Sequence, residues 1–171
     1  ILSFERLADF VLANLRRPAP RLLTDEGRVM VLRALLSQKR NALKLFRASA
    51  RLPGFAQQLN RLLRELQHHH LTAERLERLA GEVSGRHHLK DKLHDLALLL
   101  RAFMNWLNDH GLEDTDCLLD LATAALADQR APDQSTCRLE HLWLDGFAEM
   151  TPQELDLLAA VVARFSTLAG I

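Results

Sequence analysis

Two cysteines are all that this chain of 171 residues carries, and Cys117 and Cys137 fit no Cys-x-x-Cys spacing. That excludes a disulfide framework and a cysteine zinc site; Cys117 reads instead as a small residue packed inside. No apolar run approaches the roughly 18 residues needed to span a bilayer, and no signal peptide is visible. The expectation is a soluble cytoplasmic protein with no membrane partner. A Gly-x-x-x-x-Gly-Lys-Ser/Thr loop is missing, so nothing in these residues cradles a triphosphate by itself. There is no His-Glu-x-x-His pair either. His68-His69-His70 and His87-His88 with His94 lack the four-residue spacing that aims two rings from one helix at one metal, and read as polar helix ends. With no nucleophile elbow and no acid–base constellation, no catalytic residue and no metal ligand is assigned.

Acidic residues are absent from one long stretch. Formal net charge is zero, yet residues 1–64 hold 13 Lys/Arg against 4 Asp/Glu, and residues 65–171 hold 9 against 18. Between Arg28 and Arg64 no acid occurs, while Arg28, Arg33, Lys39, Arg40, Lys44, Arg47, Arg51, Arg61 and Arg64 follow one another. A basic third suits a polyanion, and the acidic remainder suits a protein partner or internal pairing.

What is present is mostly helical period. Ser3 caps a helix with Phe4, Leu7, Ala8, Val11, Leu12 and Leu15 on one side, ending near Arg16-Arg17-Pro18. Thr24 starts the next, with Asp25 and Glu26 placed against its N-terminal dipole and Val29, Leu32, Leu35 and Leu36 as its stripe. A short helix is expected over 42–50, and another face at Phe55, Leu59, Leu62, Leu63 and Leu66. Thr72 opens a helix before Gly81 to Gly85. The longest runs from about His88 to His110, its seam Leu89, Leu93, Leu96, Leu100, Phe103 and Leu107 spaced for packing among neighbouring helices. Gly111 ends it, Leu118 to Leu126 form one more face, and 129–136 is a polar loop.

Then the character changes. Leu139–Leu144 reads as a short buried strand that delivers Asp145 to its end, and a helix follows from Pro152 to about Phe165. Thr151 caps it, Pro152 suits its first position, and Glu154 completes a capping box. Strand, Asp, turn and helix is the order in which a Walker B element holds the carboxylate that positions magnesium. In an active ATPase a second carboxylate follows; here Gly146 follows, with no side chain to polarise water. Together with a possible strand tail at Ile1-Leu2 and the closing apolar run Phe165–Ile171, this gives a helical block between pieces of an α/β core, a piece of a longer protein.

The succession Ser3-Phe4-Glu5-Arg6-Leu7-Ala8, Leu23-Thr24, Gly54-Phe55, Leu62-Leu63-Arg64-Glu65-Leu66, Lys92-Leu93-His94-Asp95-Leu96, Asp145-Gly146-Phe147 and Thr151-Pro152-Gln153-Glu154 resembles, in order and spacing, the N-terminal helicase-like region of the AddB family. These are the B subunits of bacterial AddAB helicase–nucleases, which process double-strand DNA ends for recombination. The resemblance implies a mostly α fold: a helical insertion subdomain (residues 18–136) of a degenerate P-loop helicase α/β domain, with residues 1–17 starting the core and 137–171 returning to it through a short strand and helix.

It further implies a non-catalytic, DNA-binding role that grips single-stranded or unwinding DNA and scans it for the recombination hotspot Chi, beside an AddA-type partner. Arg6 and Phe147 match DNA-contacting positions, and Asp145 is the degenerate Walker B position. Asp9 stands where relatives can carry an aromatic. The alternatives are a working DNA-dependent ATPase using Asp145, and a helical module that docks a partner subunit. For the full-length family protein the resemblance implies magnesium, an iron–sulfur cluster in the C-terminal part and ATP; it places none of these in this fragment.

Overall fold

The computed structural model describes residues 2–15, 20–83, 85–128, 142–146 and 149–166. Among these the protein is mostly helical, with seven α-helices and one pair of two-residue parallel strands. In chain order they are α1 (Phe4–Asn14), β1 (Leu22–Leu23), α2 (Asp25–Lys39), α3 (Phe55–His68), α4 (Ala73–Glu82), α5 (His87–His110), β2 (Glu113–Asp114), α6 (Leu118–Ala127) and α7 (Pro152–Ser166). They form two compact units, one of Arg21–Thr115 and one of Ile1–Pro20 with Asp116–Ile171.

Four of the described helices begin where the sequence places its caps. Ser3, Thr24 and Thr72 turn their hydroxyl oxygens back to accept from the amides of Arg6, Gly27 and Arg75 at 3.4, 3.2 and 3.3 Å, each satisfying a donor that the first helical turn leaves open. At α7 the capping box closes in both directions: Thr151 N–H donates to Glu154 Oε2 at 2.7 Å, and Glu154 N–H donates to Thr151 Oγ1 at 3.3 Å. Gly111 ends α5 in the left-handed conformation, φ +57°. There its own amide and that of Leu112 reach back to Asn108 O and Leu107 O at 3.1 Å each, the double closure of a Schellman turn.

In the unit of residues 21–115, α5 is the hub, packing on α2 and α4 while α3 packs on α2. Leu96, Leu99, Leu100, Phe103 and Leu107 of α5 meet Leu32, Leu35 and Leu36 of α2, Leu59 and Leu63 of α3 and Leu76 of α4. The expected four-and-three seam is buried from Leu96 onward, but Ala97 and Leu99, off that seam, are equally buried and Leu89 is exposed. A helix covered over more than one stripe has neighbours on several sides, which a two-stranded coiled coil does not supply. Arg101 of α5 clamps α4 from outside, donating to both oxygens of Glu77 at 2.6 and 2.9 Å and to Glu74 at 3.1 Å. Its hydrogen bonds hold the Glu77 carboxyl below its ordinary range. The two chain crossings of this unit lie side by side, Leu22 opposite Glu113 and Leu23 opposite Asp114 in parallel register.

In the other unit α6 packs on both α1 and α7. Phe4, Leu7, Ala8, Val11 and Leu12 of α1 share a core with Leu118, Leu119, Ala122, Ala125 and Leu126 of α6 and with Leu157 and Val161 of α7. Ala8 and Ala122 are wholly buried, and such small side chains let α1 and α6 approach closely. Gln153, in the first turn of α7, is buried and donates Nε2 to Asp116 O at 3.1 Å and to Asp120 Oδ2 at 2.9 Å.

Three expectations are corrected. The stretch 42–50 is not an α-helix but a set of turns ending in a 3₁₀ turn at Ser49–Arg51, because the Asp95 carboxylate captures its amides, as described below. Leu142–Leu144 belong to no strand among the described residues. They are exposed rather than buried, Trp143 by 87%. Extended backbone becomes a strand only beside a ladder partner, and among the described residues this unit contains no strand. Leu2, likewise, carries no strand pairing and is exposed. The expected end of the first helix at Arg16-Arg17-Pro18, the loop 129–136, the first half of the expected strand (139–141), Ile1 and the closing run beyond Ser166 lie outside the described residues.

Thr151→Ala removes the hydroxyl from the α7 capping box and is expected to cost about 1 kcal/mol. Gly111→Ala forces a Cβ into the left-handed conformation and is expected to cost about 1–2 kcal/mol. Urea unfolding monitored by far-UV circular dichroism measures both. Lowering the pH through the depressed Glu77 value protonates its carboxyl and weakens the α4–α5 clamp. Arg101→Met is therefore expected to destabilise the chain at neutral pH and to have a smaller effect in acid.

Candidate nucleic-acid interface

The acid-free run from Arg28 to Arg64 is the largest electrostatic feature of the sequence, and the structure divides it between two uses. Its first cation is internal, and its last is paired at the surface. Arg28 is completely buried: Nη1 pairs with the Asp114 carboxylate, Nε donates to Asn60 Oδ1 at 2.8 Å, Nη2 donates to Gln67 Oε1 at 3.1 Å, and the guanidinium lies 4.8 Å over the Phe103 ring. Gln67 closes the network by donating to Asp114 Oδ2 at 3.0 Å. Arg64 donates to Asp25 Oδ1 at 3.1 Å, where Asn60 Nδ2 also donates at 3.0 Å. Both end cations are therefore balanced by carboxylates outside the run.

The sequence carried a sign of this. Arg28 stands four residues before Leu32 and seven before Leu35, on the apolar face of α2, where a cation persists only with a buried partner. The partner Asp114 is 86 residues away, and no local pattern points to it.

The middle of the run remains available. Arg33, Lys44, Arg47, Arg51 and Arg61 are exposed and Lys39 and Arg40 are partly so. Lys44 stands 4.0 Å from Asp91, with both side chains solvated, an arrangement of small energetic consequence. Four of these cations, Arg40, Lys44, Arg47 and Arg51, lie in the connection between α2 and α3, which Asp95 holds in place. This aspartate is buried in α5, and its two oxygens accept from the amides of Lys44 at 2.9 and 3.1 Å, Leu45 at 2.8 Å and Phe46 at 2.8 Å. A carboxylate facing three successive amides is a strong charge-assisted anchor. The Lys92-Leu93-His94-Asp95-Leu96 motif thus acts as a tether, a role that sequence reasoning missed because the bonded groups are backbone amides some fifty positions earlier, which no side-chain pattern marks.

In the other unit, Arg6 lies exposed on α1, with its side chain in no ion pair among the described residues, and Asp9 is exposed one turn later. Asp145 is exposed just before Gly146, which has φ +81°. Phe147 lies outside the described residues. Arg6 and Asp145 share a unit, but no hydrogen bond or ion pair joins them among the described residues.

Asp145 offers a single exposed carboxylate followed by glycine, and the two cysteines are fewer than the four thiolates that hold an iron–sulfur cluster. Among the described residues no group of three or more His, Cys, Asp or Glu is arranged to hold a metal ion.

A family model described as "ADDB, N-terminal" matches residues 1–168. The B subunit of an ATP-dependent helicase/deoxyribonuclease from Heliobacterium modesticaldum is 40% identical over 166 residues, covering 95% of this chain and 13% of that protein. The protein of the same description from Symbiobacterium thermophilum is 37% identical over 166 residues, covering 95% and 14%. The one from Bacillus subtilis is 31% identical over 169 residues, covering 96% and 14%. The chain thus spans 13% to 14% of the length of these curated relatives.

Arg28→Met leaves Asp114 buried without its cation and is expected to destabilise the chain by about 3–5 kcal/mol, whereas Arg28→Met with Asp114→Leu is expected to recover most of that loss. Urea unfolding of the two single variants and the double variant measures the coupling. Asp95→Ala is expected to accelerate hydrogen exchange at the amides of Lys44, Leu45 and Phe46, read by NMR.

Proposed function

Because this chain belongs to the AddB N-terminal family, we propose that it is a DNA-gripping, non-catalytic part of an AddB-type protein, acting in the processing of double-strand breaks and in recognition of the recombination hotspot Chi. The observation that carries the reading is the Asp145-Gly146 pair. Phosphoryl transfer to water needs a group that orients the attacking molecule beside the metal-binding carboxylate. Here the next residue has no side chain, and Asp145 itself is exposed. A motor without that group is a channel, and a channel with cations still holds a strand.

In this reading Arg6 meets a phosphate, or the two acceptors on a guanine edge, with a guanidinium that no carboxylate among the described residues occupies. Phe147 stacks on a base, a contact of about 1–3 kcal/mol that tolerates any sequence. The chain spans 13% to 14% of the length of its AddB-type relatives, and the reading assigns it no nuclease chemistry.

A second reading concerns the exposed segment before α7. Leu142, Trp143 and Leu144 expose 40%, 87% and 48% of their surfaces, an unusual arrangement for three consecutive large apolar residues. This supports the helicase-core assignment of residues 137–171, in which strands supplied elsewhere in the longer protein flank this segment and bury it. Slower hydrogen exchange at residues 142–145 in the AddB-length protein than in this chain is the expected result; equal exchange rejects it.

The principal test is DNA binding by the assembled helicase–nuclease. Arg6→Glu and Phe147→Ala are each expected to weaken single-stranded DNA binding, the second by about 1–3 kcal/mol, and to blunt the response to Chi. Unchanged end processing and unchanged Chi response in both variants reject the site assignment.

A further inference from the structure

Among the described residues, the connection from the end of α2 to the start of α3 gathers cations on a braced backbone. Lys39 and Arg40 close α2; Lys44, Arg47 and Arg51 follow within twelve residues of Lys39. Arg47 is folded back on the loop, Nε donating to Arg40 O at 3.4 Å and Nη2 to Asn41 O at 2.8 Å. That places its guanidinium against the backbone carbonyls of Arg40 and Asn41 and leaves its remaining N–H groups for another acceptor. Arg40 Nε is buried with no hydrogen-bond partner among the described residues, a donor whose desolvation is uncompensated.

Several cations are thus concentrated in one short connection, Arg47 being tied to its backbone, and such a concentration of positive charge attracts an oxyanion. The brace is strong: Asp95 fixes the amides of residues 44–46, Ala50 N–H bonds Phe46 O at 2.8 Å, and Phe46 meets Phe55 edge to face with ring centroids 5.2 Å apart. A pre-ordered loop loses little entropy on binding.

We propose that this connection is a phosphate-backbone contact of the AddB-type protein, in which Lys39, Arg40, Lys44, Arg47 and Arg51 hold successive phosphates of a single nucleic-acid strand without reading its bases. The inference rests on the DNA-binding reading above and assigns to it a site distinct from Arg6 and Phe147. Backbone contact rather than base readout follows from the composition of the loop. Its two aromatic rings, Phe46 and Phe55, are partly buried against each other, so no ring is free to stack, and its exposed polar groups are cations suited to phosphate. A phosphodiester strand, with a charge at every step, suits a row of cations in which, among the described residues, only Lys44 has a carboxylate near it, the solvated Asp91.

The test compares the wild-type AddB-type complex with a Lys44→Gln, Arg47→Gln, Arg51→Gln triple variant, using anisotropy of a labelled oligothymidylate across a salt series. Three lost phosphate contacts are expected to reduce the slope of log affinity against log salt by about 2, so that a fourfold rise in salt weakens the wild type about 20-fold more than the triple variant. The Arg6→Glu variant is measured alongside. An unchanged slope in the triple variant, with weakened binding in Arg6→Glu, overturns this inference and leaves the DNA-binding reading standing; no binding by the wild type overturns both.

Competition by oligoglutamate as effective as by unlabelled oligothymidylate assigns the loop to acidic protein segments and also overturns the inference. Should hydrogen exchange reveal a collapsed loop in the triple variant, Arg51→Gln alone decides: this exposed residue lies outside the amides that Asp95 holds, so a slope reduced by about 0.7 supports phosphate contact and an unchanged slope overturns it.

Discussion

The buried pairing of Arg28 with Asp114 is the constraint on which the unit of residues 21–115 depends. An arginine taken wholly out of water costs several kcal/mol unless its charge and its donors are met. This one is met from three directions: by Asp114 on β2, by Asn60 and Gln67 on α3, and by the Phe103 ring on α5. Four elements are therefore fixed around one planar group whose fork admits few geometries. The adjoining register, Leu23 opposite Asp114, sets the first and last segments of the unit side by side. Two chain ends brought together in this way are what a helical block needs if it is to be carried within another domain.

The same use of polar anchors recurs. Asp95 reaches from the core of α5 to the amides of the α2–α3 connection, and Gln153 reaches from α7 to the chain around Asp116 and Asp120. These residues lie in the motifs that mark the family resemblance, and each holds a distant stretch of chain. Motif residues of this protein are thus in good part architectural.

The reach of these anchors also explains which parts of the protein are legible in its residues. The helix starts at Ser3, Thr24, Thr72 and Thr151 and the stop at Gly111 are legible because a cap is an interaction between residues at most a few positions apart. The apolar faces of α1, α3 and α5 are legible for the same reason, as period survives in sequence. The 42–50 stretch is not, because its amides are claimed by Asp95, and the Leu142–Leu144 stretch misleads because an apolar run predicts burial while a strand requires neighbours. At the candidate interface, the charge run is visible as a whole; that Arg28 turns inward and Arg64 pairs with Asp25 is not.

By itself the sequence determined the mostly helical class, the places where its helices begin and end, and the family, because each is written in local period, caps or ordered motifs. Only the tertiary structure decided which of nine cations serve the core and which remain for a ligand. The reason is that desolvation acts on a side chain according to what surrounds it: Arg28 is buried against Asp114 from 86 residues away, and Arg47 is exposed and folds back on the carbonyls of Arg40 and Asn41.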